Sequence, residues 1–252
     1  MTQGYGSRVR ARLYGFSISN PSRTAHLMLE YKGIEAKNVE LLPGLHPMML
    51  WASGFRRGTV PALKLEGRRI EGSIEIGRAL EAAVPDPPLF PRDPELRAAV
   101  EAAEAWGESE LQMVPRRLAR WALARDNGAR TRIAAEIGIP LPAVAAALNW
   151  PVARAMAARV DADEAHVRQI LADLPTTLDR VDGYIADGTL GGEQPNAADF
   201  QIAPSIRILV SMADLTPALA GRPCEAHARR FVPKYPDTPP LLPRELLAEA
   251  GL

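Results

Sequence analysis

The sequence predicts an α/β plus all-α protein, with a βαβ-ββα domain followed by an all-helical domain. In the first part of the chain, short apolar segments bounded by turn residues alternate with helical patterns. Residues 84–94 are rich in proline, which suits neither a helix nor an interior strand. Beyond them alanine, leucine, arginine and glutamate dominate, without a convincing strand. We therefore expect an α/β domain over 1–84, a stiff linker over 85–94 and an all-helical domain over 95–252.

The elements of the first domain can be located from their end signals. Asn20 is expected to cap the first helix, with Pro21 at its first position, where the missing N–H costs no hydrogen bond. Gly33 ends that helix, and the Glu66-Gly67 turn separates two strands. The predicted strands are 12–16, 35–41, 60–65 and 68–71, and the predicted helices are 21–33, 48–53 and 73–83.

Residues 59–76 carry the most informative pattern of the chain. Pro61 stands at the start of a strand, where a residue without an N–H is tolerated, and the Val60-Pro61 bond is a candidate cis bond. The Val60 backbone would then be free to pair with something other than a strand. Gly72-Ser73 opens the next helix and offers N–H groups and a hydroxyl to an anion. Together these features predict a cradle for an extended, peptide-like ligand with a carboxylate.

The second half is predicted to be helical throughout. Its clearest signal is Asn196-Ala197-Ala198-Asp199, which has the form of a capping box, and Pro204 should bend the helix that follows. Pro115 either separates two helices or kinks one long helix. The predicted helices are 94–111, 115–126, 129–138, 141–158, 163–186, 197–213 and 223–230, followed by a proline-rich tail.

Composition and charge exclude several classes of function. Lysine plus arginine is 30 and aspartate plus glutamate is 30, so no net charge favours nucleic acid or an anionic membrane. The single cysteine, Cys224, excludes an internal disulfide, and the four histidines lack metal-ligand spacing. No signal core and no apolar run of about 18 residues is found. We expect a cytoplasmic protein with no metal, nucleic-acid or membrane partner.

Three separated motifs resemble the cytosolic glutathione transferase family. Residues 13–23 (LYGFSISNPSR) look like its first strand, serine-type catalytic loop and first helix start. Residues 59–63 (TVPAL) look like its cis-proline strand, and 196–199 (NAAD) like its late capping box. The resemblance covers roughly 12–231 and is that of a divergent, bacterial-like member. It implies a thioredoxin-like first domain, glutathione as co-substrate, a small electrophilic substrate, a homodimer and a role in detoxification.

By position, the resemblance places the catalytic hydroxyl at Ser19. An unperturbed thiol titrates near pH 8.5, so a hydroxyl donor and the positive end of the following helix would both favour the thiolate. Ser17 and Ser22 are alternatives, and Asn20 is a possible second donor. Tyr14 should point to the other face of its strand.

The resemblance also distributes the ligand contacts. The Val60 backbone, beside Pro61, should pair with the cysteinyl part of glutathione, and Ser73 should bind the γ-glutamyl carboxylate. Gly72 departs from the family, which usually has Glu, Gln or Asp there to meet the ligand's ammonium. Glu71 is a candidate substitute, as is a residue of a partner subunit.

Two further groups of residues are candidates for the rest of the ligand and for the electrophile. His46, Arg56 and Arg57 lie in the loop that usually reaches the glycyl carboxylate, although a solvated loop has the same composition. The second-substrate pocket should form near Ser17 and the first helices of the second domain, where several side chains are spaced to share one face. These are Trp106, Glu110, Met113, Arg117 and Trp121. Residues 127–162 look longer than the usual connection and could cover or reshape this pocket.

Three functional hypotheses follow from the pattern and its departure at Gly72. The first is a transferase that activates glutathione for attack on an electrophile. The second is a transferase that uses a different cellular thiol, and the third is a non-catalytic binding module with the transferase fold. The electrophile, and the choice among conjugation, isomerisation, dehalogenation and peroxide reduction, stay open at this point.

Overall fold

The computed structural model describes residues 9–16, 19–42, 45–136 and 139–252. Four strands form one mixed sheet in the order β2-β1-β3-β4. Strand β2 is parallel to β1, whereas β3 is antiparallel to β1 and β4 is antiparallel to β3. This confirms the predicted βαβ-ββα order. The strands are β1 (Ala11–Gly15), β2 (Ala36–Glu40), β3 (Ala62–Leu65) and β4 (Arg68–Glu71), and the helices among and after them are α1 (Asn20–Tyr31), α2 (His46–Ala52) and α3 (Ser73–Ala83).

Alternation along the strands and helical spacing build the core of this part. Leu13 on β1 and Leu63 on β3 are buried, and these two residues are register partners. On α1, Met28 is fully buried, as is Ile76 on α3, and the two helices pack against each other. A second apolar cluster joins the sheet to the α2 region and consists of Tyr14, Leu41, Leu50, Phe55 and Ala62.

The register of the sheet brings three chain segments to one edge. Tyr14, next to the end of β1, pairs with Ala62 at the start of β3, and Ala62 pairs with Glu71 at the end of β4. The loop into α1, the Val60-Pro61 step and the start of α3 therefore all leave the sheet at the same edge.

The remaining helices follow the sequence prediction with four differences, the first being a 3₁₀ turn and a short helix over 213–219, between the predicted helices 197–213 and 223–230. Helix α4 ends in a π-helical turn, so the predicted helix 94–111 is not regular to its end. The predicted helix 141–158 is two helices, because Pro151 has no N–H to donate to the turn before it. A short helix also forms in the predicted tail. The elements are α4 (Pro94–Trp106), the π-helical turn (Gly107–Leu111), α5 (Met113–Arg125), α6 (Asn127–Glu136), α7 (Pro142–Leu148), α8 (Trp150–Ala158), α9 (Glu164–Ala186), α10 (Ala197–Ser211), a 3₁₀ turn (Ala213–Leu215), α11 (Thr216–Leu219), α12 (Pro223–Phe231) and α13 (Arg244–Glu249).

The capping box at the start of α10 is confirmed atom by atom. Asn196 Oδ1 accepts hydrogen bonds from the backbone N–H of Ala198 at 2.9 Å and of Asp199 at 3.3 Å. In return, Asp199 Oδ2 accepts from the Asn196 N–H at 2.9 Å, and Asp199 Oδ1 accepts from the Gly191 N–H at 2.8 Å. Because Asp199 is fully buried, these bonds supply the partners that its carboxylate needs away from water.

By compactness the chain divides into two units. The first is Met1–Glu108 with Thr189–Pro204, and the second is Ser109–Gly188 with Ser205–Leu252. The whole sheet, α1–α4 and the capping box belong to the first unit. The division at 85–94 expected from composition stays a prediction. No helix in the described part of the chain is long and apolar enough to cross a membrane.

Candidate functional site

Ser19, rather than Asn20, caps α1. The Ser19 backbone is extended (φ −78°, ψ 123°), and its carbonyl accepts the first bond of the helix, from Arg23 N at 2.9 Å. The N-cap is the residue whose carbonyl accepts that first bond, so the expectation that Asn20 is the cap was wrong. Ser19 Oγ lies 3.5 Å from the N–H of Ser22. The hydroxyl therefore stands over the positive end of a 12-residue helix.

The other hydroxyls near this loop have different surroundings. Ser17 lies outside the described residues. Ser22 is buried, its Oγ has no hydrogen-bond partner among the residues described, and a Cβ built on Gly15 would lie 2.4 Å from that oxygen. Tyr14 is buried with its ring 5.2 Å from that of Phe55, in the cluster next to α2.

The Val60-Pro61 step presents backbone at the edge of the sheet. Its peptide bond is cis. Within the described residues, Val60 makes no backbone hydrogen bond, while the Pro61 carbonyl accepts from the Gly72 N–H at 3.0 Å. That bond ties the start of β3 to the start of α3.

Gly72 has a backbone that disfavours any other residue. Its φ of 103° is in the region that side chains rarely adopt. A Cβ built on Gly72 would also lie only 2.3 Å from Glu75 Oε2. The carboxylate of Glu75, one turn into α3, thus stands where a side chain at position 72 would begin.

Glu71 is engaged with the neighbouring loop. Its Oε1 accepts from the backbone N–H of Arg56 at 2.6 Å, and its Oε2 accepts from that of Arg57 at 2.7 Å. The Arg57 guanidinium then donates to Glu75 Oε1 at 3.2 Å. Glu71 therefore anchors the 56–57 loop, and Arg57 is directed toward Glu75. His46 begins α2, with its ring 5.2 Å from that of Phe16.

Ser73 already has an anionic partner. Its side chain is fully buried and its hydroxyl donates to Glu108 Oε2 at 2.7 Å. Gln201 Nε2 donates to the same oxygen, also at 2.7 Å. Glu108 reaches them from the π-helical turn, whose wider spacing redirects side chains relative to a regular helix. At Gly107 the approach is close, because a Cβ there would lie 3.0 Å from the Ile202 side chain.

A fully buried carboxylate lies one turn before Glu108. Glu104 is fully buried, and its Oε2 is 2.7 Å from Arg78 Nη2. Its Oε1 accepts no hydrogen bond in the described part of the chain. Burial raises the pKa of the Glu104 carboxyl to about 7; Arg78 opposes this rise, and Glu101 and Glu108 add to it. The Arg78 guanidinium also stacks 4.0 Å from the centre of the Phe90 ring.

The residues expected to line the second-substrate pocket differ in exposure, and their grouping in one pocket stays a prediction. The π-helical turn interrupts the spacing, so Trp106 is buried while Glu110, four residues later, is exposed. Met113 is half-buried at the start of α5. Arg117 donates to the Val160 carbonyl at 2.8 Å, which gives its guanidinium a structural partner.

A small pocket lies beside α1. It has a volume of about 230 Å³ and is bounded by β1, β2 and α1, including Gly15, Ser22, His26 and Asn38. Ser19, Val60 and Ser73 do not line it. Over residues 9–16, 19–42, 45–136 and 139–252, no group of three or more His, Cys, Asp or Glu side chains is arranged to hold a metal ion.

Sequence reasoning missed four residues that shape this region, namely Glu75, Glu104, Glu108 and Gln201. Glu75 had a usable signal, because Gly72-x-x-Glu75 has the N-cap to N3 spacing at which an acid reaches back to the helix start. The other three had none, since their contacts join residues between 26 and 93 positions apart.

Part of the sequence matches a known protein family. Residues 13–88 match the family model for the glutathione S-transferase N-terminal domain. No curated protein matches the chain in sequence.

Several solved structures have the same fold. A glutathione S-transferase from Rhodospirillum rubrum F11 is 20% identical with a TM-score of 0.56, over 95% of this chain and 99% of that one. Glutathione transferase F2 from Populus trichocarpa is 18% identical with a TM-score of 0.61, over 95% and 96% of the two chains. Glutathione S-transferase unclassified 2 from Bombyx mori is 18% identical with a TM-score of 0.61, over 95% of this chain and 93% of that one. Residues 13–88 are therefore similar to the glutathione S-transferase N-terminal domain, and the chain shares the fold of these solved structures.

Proposed function

We propose that this protein is a transferase that activates a low-molecular-weight thiol, glutathione, for attack on a small electrophile. The observation that carries the proposal is the position of Ser19 as the cap of α1. Its hydroxyl stands at the positive end of the helix, and the loop that holds it leaves the same sheet edge as Val60, whose backbone is unpaired among the described residues, and the start of α3.

The chemistry required of Ser19 is modest. A thiol with a pKa near 8.5 is mostly protonated at neutral pH, and each unit by which its pKa falls requires about 1.4 kcal/mol. A hydrogen bond donated to a charged group supplies about 1.5–3 kcal/mol. The Ser19 hydroxyl, helped by the helix end, is thus sufficient to keep a bound thiol largely as thiolate. The thiol proton passes to solvent, and the thiolate sulfur forms a bond to the electrophilic carbon as the bond from that carbon to its leaving group breaks, for example to the halide of an aryl halide.

The remaining contacts of the ligand follow the same edge. The Val60 N–H and carbonyl would pair with the cysteinyl part of the ligand, next to Pro61. The γ-glutamyl carboxylate would lie at the N-terminus of α3, where backbone N–H groups are free of helical partners. It would compete with Glu108 for the Ser73 hydroxyl, because a hydroxyl donates only one hydrogen bond.

The proposal extends to the setting of the reaction. By resemblance to the glutathione transferase family, the protein would act as a cytoplasmic homodimer, on electrophiles of the kind removed in detoxification. No step of the proposed chemistry requires a metal.

Substitution of Ser19 tests the role of the hydroxyl. We expect Ser19→Ala to lower kcat/KM for conjugation of glutathione to an activated aryl halide by about 10- to 100-fold, the worth of one charge-assisted hydrogen bond. Ser19→Thr, which keeps a hydroxyl, should retain most of the activity, and Ser22→Ala tests the alternative hydroxyl. Thiolate absorbance of bound glutathione should fall in Ser19→Ala at constant pH. Full activity of that variant would remove Ser19 from the mechanism.

A second candidate is the same fold acting on, or merely binding, a different thiol. It is favoured by the missing acid at Gly72 and by the carboxylate of Glu108 on Ser73. Thermal-shift titration with glutathione and with other cellular thiols separates the two. Stabilisation by another thiol but not by glutathione would favour this candidate, and stabilisation by none would favour a non-catalytic module.

A further inference from the structure

We propose that Glu75 is the acceptor for the ammonium group of the bound thiol and takes the place of the side chain missing at Gly72. This inference rests on the proposed function, because it assigns one contact of the same ligand. It explains how a chain with glycine at this position can still recognise a ligand with a free α-amino group.

The Glu75 carboxylate occupies the space beside the Gly72 backbone. A Cβ on Gly72 would lie 2.3 Å from Glu75 Oε2 and 3.2 Å from Glu75 Cδ, so Glu75 would have to move to admit a side chain there. The positive φ of Gly72 independently disfavours any other residue. Because Gly72 has no side chain, the Glu75 carboxylate can lie against its backbone. The nearest carboxylate to this position belongs to Glu75, about one helical turn later.

The two carboxylate oxygens of Glu75 have different surroundings. Glu75 Oε1 faces the Arg57 guanidinium at 3.2 Å, whereas Oε2, the oxygen over Gly72, accepts no hydrogen bond from any residue the structure describes. The Glu75 side chain is half exposed, so a ligand can reach that oxygen. A carboxylate has lone pairs for about four hydrogen bonds, which leaves capacity for an ammonium donor.

The Glu75 carboxylate is held in place by Arg57. Arg57 donates to the Glu71 carbonyl at 3.3 Å as well as to Glu75. Its backbone N–H is in turn held by the Glu71 carboxylate at 2.7 Å. Glu71 is thus a positioning residue that acts through Arg57. Both oxygens of Glu71 accept backbone hydrogen bonds, which makes Glu75 the better acceptor for the ligand.

The test compares glutathione with glutaryl-cysteinyl-glycine, which is glutathione without its amino group. Dissociation constants are measured by calorimetry for the wild-type protein, Glu75→Gln and the control Glu35→Gln, which changes an exposed glutamate elsewhere in the same unit. We expect wild type and Glu35→Gln to prefer glutathione by about tenfold, and Glu75→Gln to bind the two thiols equally. Glu75→Gln should lose affinity for glutathione and not for the analogue.

The possible results separate the two proposals. Preference for glutathione that persists in Glu75→Gln would overturn the role of Glu75, as would wild-type protein that binds both thiols equally well; in either case the thiol-binding function stands. Wild-type protein that binds neither thiol would overturn the function and this inference together. Because the substitution is at a half-exposed side chain, unchanged thermal unfolding should confirm that Glu75→Gln is folded.

Discussion

Replacing Glu104 with glutamine tests whether a carboxyl inside the first unit holds its proton near neutral pH. Burial raises the pKa of Glu104 from 4.5 to about 7, in spite of its ion pair with Arg78. Between those values the folded chain keeps a proton that the unfolded chain has released. Stability must therefore fall as pH rises through this window, because the folded state binds more protons than the unfolded state.

The size of the effect follows from the shift. A rise from 4.5 to about 7 corresponds to about 3–4 kcal/mol at 1.4 kcal/mol per unit. The contribution is fully present below pH 4.5, declines as pH rises, and is nearly lost above about pH 7. Glutamine has the shape of the protonated acid but does not titrate. As pH rises from 4.5 to about 7, the free energy of unfolding of Glu104→Gln minus that of the wild type should therefore increase by about 3 kcal/mol.

Urea unfolding followed by circular dichroism, at several pH values from 4.5 to 8, measures this difference directly. Other carboxyls titrate in both proteins and cancel in the comparison. Glu95→Gln, in the exposed first turn of the same helix, serves as the matched control and should follow the wild type. If the Glu104→Gln and wild-type curves run parallel over the whole range, Glu104 does not have a raised pKa and the reasoning fails.

Two further substitutions test contacts at the candidate site. Glu108→Gln removes the negative charge beside the Ser73 hydroxyl, so the Kd for glutathione should fall by about tenfold, the equivalent of about 1.4 kcal/mol of like-charge repulsion; unchanged affinity by calorimetry would show that the ligand carboxylate lies elsewhere. Gly15→Ala places a methyl group 2.4 Å from Ser22 Oγ and should cost about 1–3 kcal/mol of stability in urea unfolding, part of which Ser22→Ala in the same chain should restore. A fully stable Gly15→Ala protein would contradict this close packing.

The parts of the fold with local signals were predictable from the sequence. Helix α3 runs over 73–83 as predicted, because Gly72 and the prolines after Ala83 mark its two ends. The capping box at Asn196 was also predictable, since its donors and acceptors lie within three residues of one another. The same kind of signal misled at the start of α1, where Ser19 and Asn20 are both good caps and only the first helical hydrogen bond distinguishes them.

The polar contacts of the candidate site could not be predicted in this way. The bond from Ser73 to Glu108 joins residues 35 positions apart and depends on a π-helical turn for which the sequence has no distinct pattern. The shared face expected for Trp106 and Glu110 stays a prediction, and it assumed a regular helix of 3.6 residues per turn, whereas a π-helical turn separates the two residues. The pKa of Glu104 depends on burial by the fold as a whole.

The π-helical turn at Gly107–Leu111 makes the length of this segment as important as its composition. A turn of this kind holds one residue more than a regular turn, so deleting a single residue would leave an ordinary helix there. Because the extra residue is absorbed within the turn, the helical segments on either side would keep their orientation, and only side chains inside the turn would change direction. Glu108 would turn away from Ser73 and Gln201 even though no residue of that trio had changed. Natural variants of this protein should therefore keep the number of residues within 107–111.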